Sequence, residues 1–119
     1  MSDTDFNHLP LLDEEIILEL REVMEDEFAD LLQNFLNDLP LQFDRLQQAS
    51  DQNDAEQIYH IGHKFKSSCG SLGALRLAEL VRRLEQAGRL KQMDAVGRWL
   101  AQARAVAAET ESAVRDQLV

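Results

Sequence analysis

The sequence predicts an all-α fold, an antiparallel four-helix bundle with a short additional N-terminal helix. Three observations carry this. Apolar residues recur at helical spacing in five separate stretches. Leu, Ala, Glu and Gln are frequent, whereas the 119 residues include only five glycines and two prolines, a composition that favours helix. No strand-like alternation, Asn-Gly type turn or internal repeat interrupts the pattern. A chain of this length is one domain with material for a single core. We expect a flexible segment over 1–12 and the helical bundle over 13–119.

Leu9-Pro10-Leu11-Leu12 leads into the short first helix, for which Asp13 is the N-cap and Leu20, Val23 and Met24 form the apolar face. The second helix is predicted from about Asp26 to about Ala49, because Phe28, Leu31, Leu32, Phe35, Leu39, Phe43 and Leu46 recur at helical spacing. Pro40 lies inside that pattern and predicts a bend, since proline removes a donor and strains the preceding turn. Asp54, with Gln57 three residues on, predicts a capping box at the start of the third helix. Gly73 ends that helix. Leu77, Leu80, Val81 and Leu84 give the fourth its stripe, and Gly88 is its predicted C-terminal cap. The fifth is expected from about Lys91 to about Asp116, with Met93, Val96, Leu100, Ala103, Val106, Ala107 and Val114 facing inward and Trp99 off to one side.

Charge narrows the function. The net charge is −10, and its distribution is uneven: residues 1–60 hold sixteen acids and two bases, residues 61–119 six acids and ten bases. Such a deficit repels a phosphate backbone, so nucleic-acid binding is not expected. A local basic region in an acidic protein suits an acidic partner instead, although most of Arg76, Arg82, Arg83 and Arg89, and Lys64 with them, can also be read as solvated helix faces. No run of about 18 apolar residues is present, which argues against a membrane span. The first twenty residues carry no Lys or Arg, the wrong charge for a signal peptide. The lone Cys69 allows no internal disulfide and suits a reducing cytoplasm.

The third helix is the most informative element. With a turn of about 100° per residue and Phe65 at zero, Ile58, Ile61, Gly62, Cys69 and Leu72 all fall within about 60° of it and make one apolar stripe. Cys69 on that stripe reads as a small core residue. His63 falls at about 160°, beside Glu56, Ser67 and Gly70 on the opposite side. The histidine therefore faces solvent, and its small neighbours one and two turns on, Ser67 and Gly70, leave the ring open to a bulky partner. Taken alone, an exposed histidine is ordinary surface.

The surrounding residues give it a context. His63, Phe65, Lys66, Ser68, Cys69, Gly73 and Ala74 reproduce a pattern of histidine, apolar residue, lysine, small residues and a Gly-Ala pair ten residues after the histidine. This stretch resembles the histidine-containing phosphotransfer (HPt) domains of bacterial and fungal phosphorelays, and the run from Leu77 to Glu85 looks like the next helix of that family. One position departs from it: Ser67 stands where the family usually has glycine. The resemblance implies the same helical-bundle fold over roughly residues 13 to 117 and a free-standing, monomeric, cytoplasmic phosphoryl carrier.

It also implies roles. His63 would take a phosphoryl group on Nε2 from the phosphoaspartate of a receiver domain on a hybrid sensor kinase. It would then pass the group to an aspartate of a response-regulator receiver. A histidine with an ordinary pKa near 6.5 is mostly neutral at neutral pH and offers a nitrogen lone pair for this. Lys66, at about 100°, is placed to stabilise phosphoryl oxygens; Lys64, at about 260° on the other flank, can do the same or raise the local potential. Ser67 can bond the ring or the phosphoryl group, Gly70 permits close approach, and His60 is an interface or surface residue. The chain has no Walker-type loop or kinase motif, so it is expected to be a carrier without a kinase site and without a cofactor or metal of its own, the Mg²⁺ coming with the receiver.

Two other classes fit parts of the sequence. Glu56, His60 and His63 on neighbouring turns suggest a metal-dependent bundle enzyme, but carboxylate-bridged di-metal bundles need Glu-x-x-His on two helices, and that repeat is missing. A non-catalytic adaptor with an inert His63 would bind partners through shape and charge alone.

Overall fold

The computed structural model describes residues 5–119. After a 3₁₀ turn at Asp5–His8 come α1 (Glu14–Met24), a second 3₁₀ turn (Glu25–Glu27), α2 (Phe28–Asp51), α3 (Ala55–Leu72), α4 (Leu75–Arg89) and α5 (Met93–Gln117). Helices α2 to α5 close the expected four-helix bundle, with α3 against α4, α4 against α5, and α2 against both α3 and α5. The short α1 lies across one end on α2 and α3.

The apolar spacing translates directly into the core. Leu32, Leu46, Ile58, Cys69, Leu77, Leu80, Val81, Leu84, Val96 and Val114 are fully buried. Each large aliphatic side chain withdrawn from water in this way contributes about 1.5–3 kcal/mol. Phe43 of α2 meets Phe65 of α3 edge to face at 5.5 Å, tying those two helices together. Thr110, which the apolar pattern missed, is also fully buried, its hydroxyl donating to the Val106 carbonyl of its own helix at 2.8 Å. Burial pushes the Cys69 thiol pKa up, with Asp38 adding to the effect, so this cysteine is packing material.

Asp13 caps α1 as predicted, accepting from the amides of Glu15 and Ile16. The capping box of α3 is one-sided: the Asp54 carboxylate accepts from the Gln57 amide, but the Asp54 amide donates to the Ala49 carbonyl that ends α2. Val23, expected inside, is 80% exposed. The α1 face in use is Ile17 with the half-buried Leu20 and Met24, because α1 rests on the bundle end along a narrow line that cannot cover its whole stripe. The second helix starts at Phe28 rather than Asp26, because Glu25 takes a positive φ of 49° and Glu25–Glu27 winds as a 3₁₀ turn. It then runs uninterrupted through Pro40, whose ring is on the exposed side. The lead-in expected to be loose is seated on the bundle over its described part: Phe6 is buried beside the Arg83 guanidinium, and Arg76 bonds the carbonyls of Leu9 and Pro10. Residues 1–4 of that segment lie outside the described residues.

Gly88 is not a cap. Helix α4 continues past it, and three connections share one hydrogen-bonding pattern whose left-handed residue is Asn53, Gly73 and Lys91 in turn, with φ of 54°, 84° and 58°. In each the two amides that follow the last turn return to carbonyls three and five residues back, as in Gln92 to Ala87 and Lys91 to Gly88. Gly88 serves packing instead. A Cβ there would sit 2.7 Å from the Ala55 carbonyl and the Tyr59 amide of α3, so α3 and α4 approach backbone to backbone.

Candidate functional site

The close approach of α3 and α4 builds the site. Gly62, on the buried stripe of α3, lets the Glu85 backbone of α4 come so near that a Cβ at 62 would lie 3.1 Å from Glu85 Cα. That brings the Glu85 side chain beside the two residues that follow on the exposed side of α3. His63 Nδ1 lies 3.1 Å from Glu85 Oε1, and Lys66 Nζ lies 2.6 Å from Glu85 Oε2. The histidine side chain is 57% exposed and the glutamate only 13%. Glu85 Oε2 is shut off from solvent and makes no aligned hydrogen bond, so the ion pair with Lys66 is what compensates it.

Burial opposes ionisation of Glu85, but the Lys66 ammonium and the His63 ring beside it outweigh burial and hold the carboxyl below the usual carboxylate range. An ionised carboxylate can only accept, so Nδ1 is the protonated ring nitrogen and donates to Glu85. The lone pair is then on Nε2. Tyr59, one turn earlier and half-buried, stacks on the imidazole with centroids 6.0 Å apart and planes 28° from parallel. The ring is therefore fixed by a carboxylate on one edge and an aromatic on one face.

The other expected residues are placed as follows. Ser67 is exposed, its hydroxyl donating back to the His63 carbonyl at 3.3 Å. It heads a row of such bonds, with Ser68 to Lys64 and Ser71 to Ser67. Gly70 faces open space, since a Cβ there would meet nothing within 4 Å. Lys64 is exposed, and among the described residues no carboxylate pairs with it. His60 lies 3.6 Å from Glu56 while His63 turns to Glu85, so the Glu56, His60 and His63 side chains do not converge. Most bases of α4 and α5 are spoken for: Glu79 takes both Arg82 and Arg83, and Arg76 reaches Glu109. Arg82 first, then Arg83, keep the Glu79 carboxyl below its ordinary range against partial burial.

Sequence reasoning missed Glu85, Tyr59 and the packing role of Gly62. Glu85 is 22 positions from His63 and belongs to no local pattern. The glycine on the buried stripe was the one available signal that another backbone comes close there.

The family model described as the Hpt domain matches residues 30–117. The chain belongs to the Hpt domain family. The bundle of this Hpt domain is also similar to the crystal structure of histidine-containing phosphotransfer protein B (HptB) from Pseudomonas aeruginosa PAO1, with 28% identity, a TM-score of 0.89, and coverage of 92% of this chain and 95% of that one. A comparison with curated proteins finds no significant match. Among the described residues, no helix is long and apolar enough to cross a membrane.

Proposed function

We propose that this Hpt domain carries phosphoryl groups on His63 between receiver domains of a phosphorelay. The observation that supports this most is the Glu85 carboxylate on His63 Nδ1, which leaves the nucleophilic lone pair on the outer nitrogen of a half-exposed ring. In the forward step Nε2 attacks the phosphorus of a receiver phosphoaspartate in line. The N–P bond forms, the P–O bond to the aspartate breaks, and the bonding pair leaves with the carboxylate. Nδ1 keeps its proton throughout.

Attack by a neutral imidazole makes the ring positive, and Glu85 faces that developing charge as the acid of a catalytic triad faces its histidine. Lys66 starts paired with Glu85. Its ammonium, one turn from the ring, swings to the arriving phosphoryl oxygens, where the charge is greater. The open space at Gly70 admits the partner's surface, and Ser67 lines the same approach. The reverse sequence returns the group to a second receiver's aspartate. The charge-neutralising metal that phosphoryl transfer needs belongs with the receiver's leaving carboxylate, so this chain needs no kinase chemistry of its own; in this reading it is a monomeric carrier working alongside cytoplasmic receivers.

The test is a chase. Wild-type protein should drain phosphate from phosphorylated receivers within minutes, and the His63→Gln protein should leave it in place while keeping its helical signal. Equal draining by both proteins contradicts the proposal.

A further inference from the structure

A groove about 500 Å³ in volume runs between α2 and α3. Its charged walls are Arg45 and Lys64, with His60 and the amides of Gln48, Gln52 and Gln57 between them. No Asp or Glu lines it, in a chain with 22 acids against 12 bases. Arg45 is one of only two bases in residues 1–60. Among the described residues neither Arg45 nor Lys64 has a carboxylate partner; Lys66, Arg76, Arg82, Arg83 and Arg115 have one, while Arg21 and Arg104 bond only amides and Arg89 and Lys91, like the groove pair, have none. The groove lies within one turn of the nucleophile: the His60 ring packs on Tyr59 at 5.2 Å, and Tyr59 stacks on His63. Lys64 belongs to its wall, while Lys66 is held on the opposite flank by Glu85.

Resting on the proposed transfer reaction, we infer that this groove reads the receiver: Arg45 and Lys64 take carboxylate side chains that the partner presents beside its phosphoaspartate. Two cations without a carboxylate partner, in a groove where Glu56 reaches His60 and Asp38 reaches Gln42 but neither meets Arg45 or Lys64, are complementary to such a face, and charges at the rim of an interface act mainly on encounter and partner choice. Two full positive charges in a protein of net charge −10 are too few to hold a nucleic acid or an anionic membrane. The groove therefore sets affinity, and the pair His63–Glu85 sets the rate of chemistry.

The experiment measures transfer from a phosphorylated receiver as a function of receiver concentration for wild type, Arg45→Gln and Arg45→Glu, at low and high salt. Arg45→Glu should raise KM about tenfold with the saturating rate unchanged, and Arg45→Gln should fall between. Added salt should raise the wild-type KM more than that of Arg45→Glu. Replacing an acidic residue of the receiver by lysine should restore binding to Arg45→Glu. The same variants are compared for receiver affinity in a His63→Gln background, where no transfer occurs, so the groove and the transfer reaction can fail separately. An unchanged KM and Kd overturns the inference while leaving transfer intact. A fall in saturating rate, or an effect of Arg45→Glu confined to nucleic-acid or vesicle binding, also overturns it.

Discussion

His63 Nδ1 and Glu85 Oε1 lie 3.1 Å apart across the α3–α4 contact, and the second oxygen of the same carboxylate holds Lys66. One side chain from α4 thus sets the tautomer of the imidazole and parks the nearest ammonium. The arrangement depends on Gly62, because a side chain there would hold the α4 backbone away at Glu85. The geometry of the site and the packing of the bundle are therefore one problem.

Removing the carboxylate separates orientation from charge. Glu85→Ala loses the bond to Nδ1 and frees Lys66, and should slow transfer at saturating receiver about tenfold, the equivalent of one charged hydrogen bond of about 1.5 kcal/mol. Glu85→Gln keeps an acceptor for Nδ1 without the charge and should lose less. Rapid-quench rates, with imidazole ¹⁵N shifts reporting the tautomer, check both.

Acid should undo the same tether. Because the folded-state pKa of Glu85 is lowered, its contribution to stability is complete above the ordinary glutamate value of about 4.3 and is lost as pH falls through the lower folded-state value. The difference in unfolding free energy between wild type and Glu85→Gln should be constant near pH 7 and shrink progressively as pH falls below the ordinary glutamate value of about 4.3. Denaturant titrations across that range measure it, and a gap that persists in full at the acid end contradicts the assignment.

Three glycines should respond in different directions to alanine. Gly97→Ala and Gly70→Ala meet open space in a helix, so each should stabilise the fold by about 0.8–1 kcal/mol. Gly70→Ala should also slow transfer if the partner approaches over this face as proposed, while Gly97→Ala should not. Gly88→Ala drives a Cβ into the α3 backbone at Ala55 and Tyr59 and should cost about 1–3 kcal/mol. Thermal melts paired with transfer rates distinguish the three.

Lys91 holds a left-handed conformation with no glycine to ease it. Lys91→Gly should stabilise the protein by about 0.5–1 kcal/mol, since the left-handed penalty of an L-residue exceeds the entropy glycine adds to the unfolded chain. A lower melting temperature contradicts this reading of the α4–α5 connection.

The helices were legible because each apolar stripe is a local signal: Phe28 to Leu46, Ile58 to Leu72 and Leu77 to Leu84 face the core as their spacing requires, with Leu31 and Ile61 only partly buried at its edge. The outward position of His63 followed from the same arithmetic. Gly88 was misread because a glycine after an apolar run looks alike as a cap or as a contact point, and only the neighbouring helix distinguishes them. Val23 was misread because periodicity marks a face without telling how much of it is covered. Glu85 and Tyr59 escaped because their relation to His63 depends on helix packing and ring orientation, which no spacing rule contains.

The most direct measurement is the position of the phosphoryl group itself. After incubation with a phosphorylated receiver, the protein should carry an acid-labile, base-stable label that peptide mapping assigns to residue 63, and the His63→Gln protein should carry none. A label on another residue, or none on the wild type with any of a broad set of receivers that bind it, contradicts the account.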